Sequence, residues 1–272
     1  MPELPEVETI KRDLERKIIG RRFVGATLLW PKMLQNSTPE AFERGIISQS
    51  IVGMDRRGKY LIFRLSNDTS LILHLRMSGS LHLDAACDDD RHIRAIFNLD
   101  NGANLYFRDP RKFGRIWLVA DEKEIVGKLG PEPLEKEFSP DTLRSILEKR
   151  QSPIKAVLCE QSLIAGIGNM YADEALFAAA IHPLRKASSL SNTEIKRLHR
   201  AIRTVLQKAV ASGGASISDY RRPDGSSGEA QFAFKVAHQR GASCPRCKTH
   251  IERIVVRQRG TYFCPSCQSQ NN

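Results

Sequence analysis

No stretch of the sequence approaches the roughly 20 consecutive apolar residues that crossing a bilayer takes. The opening Met1-Pro2-Glu3-Leu4-Pro5-Glu6 also lacks the basic-then-apolar layout of a secretory signal. The expectation is a soluble, intracellular chain with no membrane partner. Internal repeats are absent, and aromatic residues make up only 7%. The 41% hydrophobic content across 272 positions still supplies a core and excludes disordered and collagen-like classes. That length predicts two domains, or one large domain with an appendage. Acidic residues are in deficit, 31 against 42 Lys+Arg, leaving a formal charge of +11. Such an excess fits a polyanionic partner, nucleic acid first, or simple colloidal solubility.

Cysteine is scarce and unevenly placed. Cys87 and Cys159 stand alone and read as small buried residues. Cys244 and Cys247 form one close pair and Cys264 and Cys267 another, with enough chain between them for a hairpin. Two such pairs can set four thiolates tetrahedrally around one structural Zn²⁺. Two disulfides or redox pairs would be the other reading, and they fit poorly with a cytosolic chain lacking a secretion signal.

Residues 5–19 have helical spacing, with Val7, Ile10, Leu14 and Ile18 on one face and Gly20 closing it. From Arg22 to about Ala120 the pattern becomes β. Runs at 23–30, 60–65, 71–75, 93–99, 104–107 and 116–119 are separated by turn signals such as Asn101-Gly102. This predicts a sandwich or flattened barrel. Amphipathic helical segments follow from about Pro140 to Ser212, the longest opening on a Ser191/Glu194 capping box. The fold class is therefore α+β, with a boundary near residue 132. Residues 221–230 read as a mobile loop. The turn Gly166-Ile167-Gly168-Asn169 can aim backbone N–H groups at a phosphate, or simply make a helix corner. Basic residues gather at 56–59, at 108–112, at Lys149, Arg150 and Lys155, and at 253–259. Each cluster is ordinarily a solvated face; together they would suit one basic groove.

Several motifs coincide in order: the start at 1–9, Arg57-Gly58-Lys59-Tyr60, Leu75-Arg76-Met77-Ser78-Gly79, Asp109-Pro110-Arg111-Lys112-Phe113-Gly114, the turn at 166–169, and the terminal cysteine hairpin. By these the chain resembles the bacterial formamidopyrimidine-DNA glycosylases along essentially its whole length. The resemblance implies a helix-led β-sandwich domain (1–132), a helix–two-turn–helix domain (133–235) and a Cys₄ zinc hairpin (236–272). It implies a monomeric, cytoplasmic, nucleoid-associated enzyme that excises 8-oxoguanine and formamidopyrimidines from double-stranded DNA and then cuts the strand by β,δ-elimination. The endonuclease VIII-like enzymes, which take oxidised pyrimidines, share Pro2 and Glu3 but fit the Leu4 start less well. A non-catalytic zinc-dependent DNA-binding protein is the reading from another class.

The resemblance also assigns residues. Removal of Met1 would expose Pro2 as a secondary amine. An α-amino group titrates near pH 8, so about a tenth is neutral at pH 7, far more than for lysine. Pro2 is the nucleophile, Glu3 the general acid/base, Lys59 the residue of β-elimination and Arg259 that of the δ step. Glu6 orients the terminus, although acidic residues in a first helical turn also suit the helix dipole. Met77, Arg111 and Phe113 fill the gap left by an everted base; read without the family, Met77 and Phe113 would be core. His92, Arg150, Lys155 and Asn169 contact DNA, with His74 a weaker candidate. Where the family has Val-Tyr-Gly-Arg, this chain has Val236-Ala237-His238-Gln239, so a phosphate-holding tyrosine is missing. The segment Leu158-Cys159-Glu160-Gln161 also departs from the usual pattern.

Overall fold

A computed structural model describes residues 1–84 and 90–270; Cys87 lies outside the described residues. These form two compact units, Met1–Lys128 with Ser212–Gln231, and Leu129–Ala211 with Phe232–Asn272. Among the described residues no helix is long and apolar enough to cross a membrane.

The first unit opens on α1 (Leu4–Ile18), with Pro5 in its first turn. Then come β1 (Phe23–Leu28), α2 (Pro39–Ile46), β2 (Ile51–Arg57), β3 (Tyr60–Leu65), β4 (Ser70–His74), β5 (Ser80–Leu83), β6 (Ile93–Leu99), β7 (Asn104–Arg108), β8 (Arg115–Val119) and α3 (Lys123–Val126). The strands make two four-stranded antiparallel sheets, in the orders β1-β6-β7-β5 and β2-β3-β4-β8. Period-2 alternation sends Phe97 and Phe107 of one sheet and Leu61, Phe63, Leu71 and Leu73 of the other into one core, where Ile10, Leu14 and Ile18 of α1 join them. Each such side chain contributes about 2 kcal/mol by leaving water. The second sheet buries its other face as well, through Ile62, Ile72 and Val119.

Ser212–Gln231 packs with this unit although the linear division drawn from the sequence assigns it to the helical domain. Tyr220 enters the sandwich core, Arg222 makes a bidentate pair with Asp13 at 2.8 Å, and the Leu83 N–H donates to the Pro223 carbonyl at 2.9 Å. The loop at 221–230 is thus tied down at two points.

The second unit holds α4 (Pro140–Leu147), α5 (Ile154–Leu158), α6 (Asn169–Ala178), α7 (Asn192–Ala211) and a hairpin, β9 (Glu252–Val256) and β10 (Arg259–Phe263). The α7 capping box is present: Glu194 Oε2 accepts the Ser191 N–H at 2.8 Å, and Ser191 Oγ accepts the Glu194 N–H at 3.3 Å. The helix α6 is not amphipathic. Tyr171 through Phe177 are all buried, because α5, α7 and β10 enclose it.

Candidate functional site

In the first unit the N-terminal residues are held by the start of their own helix. Pro2 is buried and Met1 exposed. Glu3 and Glu6 pair reciprocally as a capping box, and both carboxylates are almost wholly buried. Glu6 Oε2 accepts the Glu3 N–H at 2.7 Å, while its Oε1 accepts the Ala215 N–H at 2.7 Å. One carboxylate therefore fixes the terminus and the 212–231 segment together. Gly214 has a φ of +77°, and a Cβ there would approach the Glu6 side chain to 3.0 Å, so only glycine suits that position.

Lys59 is the buried second residue of the two-residue turn of the β2–β3 hairpin. Gly58 supplies the positive φ of +58° there. The Arg56 guanidinium donates to the Gly58 carbonyl at 3.0 Å and to Glu8 at 2.9 Å, which fixes the turn to α1.

His74, a DNA-contact candidate by sequence, is instead a buried β4 side chain. Its ring meets Tyr60 edge-on at 4.5 Å, and its Nδ1 accepts the Arg76 N–H at 3.0 Å. Burial first, then the charges of Arg76 and Lys59, push its pKa down to about 3. The unfolded chain therefore takes up this proton first as pH falls, and stability is lost from about 6.5 downward toward 3. Between pH 7 and 5 the expected loss is about 2 kcal/mol. Urea titrations of His74→Gln, which keeps an acceptor but does not titrate, should remove that slope; an unchanged slope would place the proton uptake elsewhere.

Met77, Arg111 and Phe113 lie on two loops that one buried carboxylate joins. Asp109 Oδ1 accepts from Ser78 Oγ at 2.6 Å and from the Arg111 N–H at 3.2 Å, and its Oδ2 accepts the Gly114 N–H at 2.7 Å. A Cβ on Gly79 or Gly114 would come within 2.8 and 2.6 Å of the Phe107 ring, so both loops need glycine for close approach. Met77 and Phe113 are 42% and 43% exposed, which core side chains are not, and the Arg111 guanidinium lies 4.9 Å from the Phe113 ring centroid. His92 follows on a short 3₁₀ turn, its Nδ1 3.3 Å from Arg108 Nη2. Asp109 and Ser78 fix the loops that carry Met77, Arg111 and Phe113, and sequence reasoning assigned them no role.

In the second unit Arg150, Arg257 and Arg259 line a cavity of about 310 Å³ with Ser152, Cys159 and Glu160. The β9–β10 turn has positive φ at both Arg257 (+46°) and Gln258 (+63°), the pairing a tight hairpin demands. Lys155 is wholly buried: its ammonium donates to Asp173 Oδ1 at 2.5 Å and to the Asn169 carbonyl at 2.6 Å. Asn169 spends its side-chain N–H on the Gly260 carbonyl at 2.8 Å. It stands in the first turn of α6, the end of a helix whose dipole favours an anion. Glu174 accepts the backbone N–H groups of Lys235, Val236 and Ala237 at 2.8 to 3.0 Å, so the stretch where the family tyrosine is missing is ordered from within.

The four cysteine sulfurs lie within 4.8 Å of one another. Cys244 and Cys267 are 3.8 Å apart and Cys247 and Cys264 3.4 Å. Zn–S bonds of about 2.3 Å at tetrahedral angles require sulfurs about 3.8 Å apart, so the donors fit, and they hold one structural zinc.

A helix-led sandwich, a helical unit with a glycine turn and a Cys₄ hairpin together define the helix–two-turn–helix class of zinc-finger DNA glycosylases. Residues 1–116 match the formamidopyrimidine-DNA glycosylase N-terminal domain, residues 129–221 the H2TH domain of the same enzymes, and residues 243–270 the zinc finger found in FPG and IleRS. The chain belongs to the formamidopyrimidine-DNA glycosylase family. A formamidopyrimidine-DNA glycosylase of Herpetosiphon aurantiacus is 46% identical over 99% of this chain and 100% of its own. A Lactococcus lactis FPG mutant, solved with a Fapy-dG containing DNA, is 39% identical with a TM-score of 0.91, covering 98% of this chain and 100% of that one. The Lactococcus lactis Fpg with an abasic site containing DNA gives 38% and 0.90, covering 98% and 99%.

Proposed function

We propose that the chain is a bifunctional DNA glycosylase and AP lyase that removes 8-oxoguanine and formamidopyrimidines from duplex DNA and then cleaves the strand by β,δ-elimination. The observation that carries this is the buried Pro2-Glu3 terminus, locked by Glu6 at the start of α1. Once Met1 is removed, the Pro2 nitrogen attacks the sugar's anomeric carbon and the base leaves with the bonding pair and a proton. Ring opening, with Glu3 moving the proton, leaves an iminium that needs no protonation to hold its charge. The iminium acidifies the neighbouring C–H; its loss expels the 3′ phosphate, with Lys59 relaying a proton or holding phosphate. A second elimination expels the 5′ phosphate while Arg259 holds it, a role that suits a donor which rarely gives up its proton.

Met77, Arg111 and Phe113 occupy and wedge the gap left by the everted nucleotide. The exposure of Met77 and Phe113 supports that role over core packing. His92, Arg150 and the α6 N-terminus at Asn169 hold backbone phosphates, and Lys155 serves them from within. The domains divide this work: 1–132 carries Pro2, Glu3 and Lys59, 133–235 the helical DNA-binding residues, and 236–272 the zinc hairpin with Arg259, in a monomer working in the cytoplasm at the nucleoid.

Duplexes carrying 8-oxoguanine or thymine glycol test the reading. Faster nicking of the purine lesion is expected. Preference for thymine glycol would move the protein to the endonuclease VIII-like side, and tight binding without nicking would make it a damage-binding protein.

A further inference from the structure

Asp173 belongs to none of the motifs in the sequence, yet it anchors a chain of buried hydrogen bonds in the second unit. It is 1% exposed. Oδ1 takes the Lys155 ammonium at 2.5 Å and Oδ2 takes the backbone N–H of Tyr262 at 3.1 Å. Through Lys155 it reaches the Asn169 carbonyl, and Asn169 reaches the Gly260 carbonyl. Gly260 and Tyr262, the two β10 residues held in this way, lie close to Arg259 at the start of the strand. Burial pushes the Asp173 carboxyl up to about 6, so at neutral pH the ammonium still faces an anion.

A buried ion pair is weak evidence for stability, because an apolar pair of similar volume often serves as well. Helix packing alone does not call for these charges. They do satisfy the groups that set the register of the hairpin strand on α6.

We propose that Asp173 is a positioning residue for the phosphate clamp: it holds β10 against α5 and α6 so that Arg259 and the α6 N-terminus grip backbone phosphate together. This rests on the proposed lyase function for its catalytic readout, but not for its binding readout.

The variant Asp173→Asn keeps the shape and removes the charge. Two measurements are read on the zinc-loaded full chain: the ratio of δ- to β-elimination products on an abasic duplex, and the salt dependence of binding to a duplex with a reduced abasic site. Asp173→Asn should lower the δ:β ratio between about tenfold and a hundredfold, the scale of a misplaced reacting group. The salt slope should fall by about 0.9 for each phosphate no longer gripped. Borohydride trapping should stay near the wild-type yield. Where Asp173→Asn folds poorly, Asp173→Leu with Lys155→Met restores apolar packing and should lower both readouts in the same way, since the Tyr262 N–H still lacks its acceptor. Wild-type ratio and slope in a folded variant would overturn the proposal. Should Arg259→Ala leave the δ:β ratio unchanged while Asp173→Asn lowers the salt slope, the elimination role of Arg259 fails and the positioning role stands.

Discussion

A chain that retains Met1 is expected to give no borohydride-trapped adduct with lesion DNA and no base excision, while binding an abasic-analogue duplex within about tenfold of the processed protein. Met1 converts the Pro2 nitrogen into a tertiary amide whose lone pair is delocalised, so the nucleophile itself disappears. Little else changes, because Glu3 and Glu6 hold the start of α1 through their own backbone and carboxylate groups. Pro2→Gly is the subtler case. A primary amine can still attack, but its imine must gain a proton to become as electrophilic, and the free glycine loses the fixed φ that aims the nitrogen. Base excision should fall at least about a hundredfold, within the range of a missing acid–base or nucleophilic contribution. Measuring single-turnover excision beside the dissociation constant decides it. Equal loss of excision and binding would contradict the assignment, as would a peptide map placing the reduced crosslink on another side chain.

The fold is legible where local pattern and tertiary need agree. Alternation in 93–99 and 104–107, and a short apolar run in 60–65, mark strands that pair as antiparallel ladders. The strand β2 escapes sequence reading because Gly53 and the charged run Asp55-Arg56-Arg57 look like loop, yet cross-strand pairing with β3 holds it. The strand β5 has four residues, too few for a period to show. The short helix α2 carries a readable start in Thr38-Pro39, whose Thr38 Oγ1 accepts the Ala41 N–H at 3.3 Å, but its two buried residues, Phe42 and Ile46, leave little periodicity.

Motifs mark the residues that would touch DNA; the groups that hold them are not legible. Ser78 meets Asp109 across 31 positions, and Glu6 meets Ala215 across 209. No local pattern announces such pairs. Two further candidates, His74 and Lys155, are buried for the same reason: only the packing around them takes polar side chains from the surface to the interior.

Replacing one zinc ligand should cost the second unit its hairpin and, with it, most DNA affinity. Cys247→Ser is the sharper choice, because Cys247 is exposed while Cys244 and Cys264 are buried; the substitution removes a ligand without carving the core. That core is small. Phe177, Val236, Cys244, Ile251 and Cys264 are its buried members, and two of the five are themselves ligands. Such a cluster stabilises a two-stranded hairpin poorly, whereas a structural zinc contributes on the order of 10 kcal/mol of folding free energy. With the metal gone, β9 and β10 fray, and Arg257 and Arg259 lose the turn that aims them. The helices α4–α7 have their own packing and should persist in the far-UV spectrum. Metal analysis should fall from one zinc per chain to near none, and affinity for abasic-analogue duplex by at least about tenfold, with a shallower salt slope as two or more phosphates go unheld. Trapping should weaken in step with binding rather than vanish, since Pro2 lies in the other unit. A metal-free Cys247→Ser protein that binds and nicks like the parent would show that the sulfur cluster is dispensable, and the structural role given to zinc would fall with it.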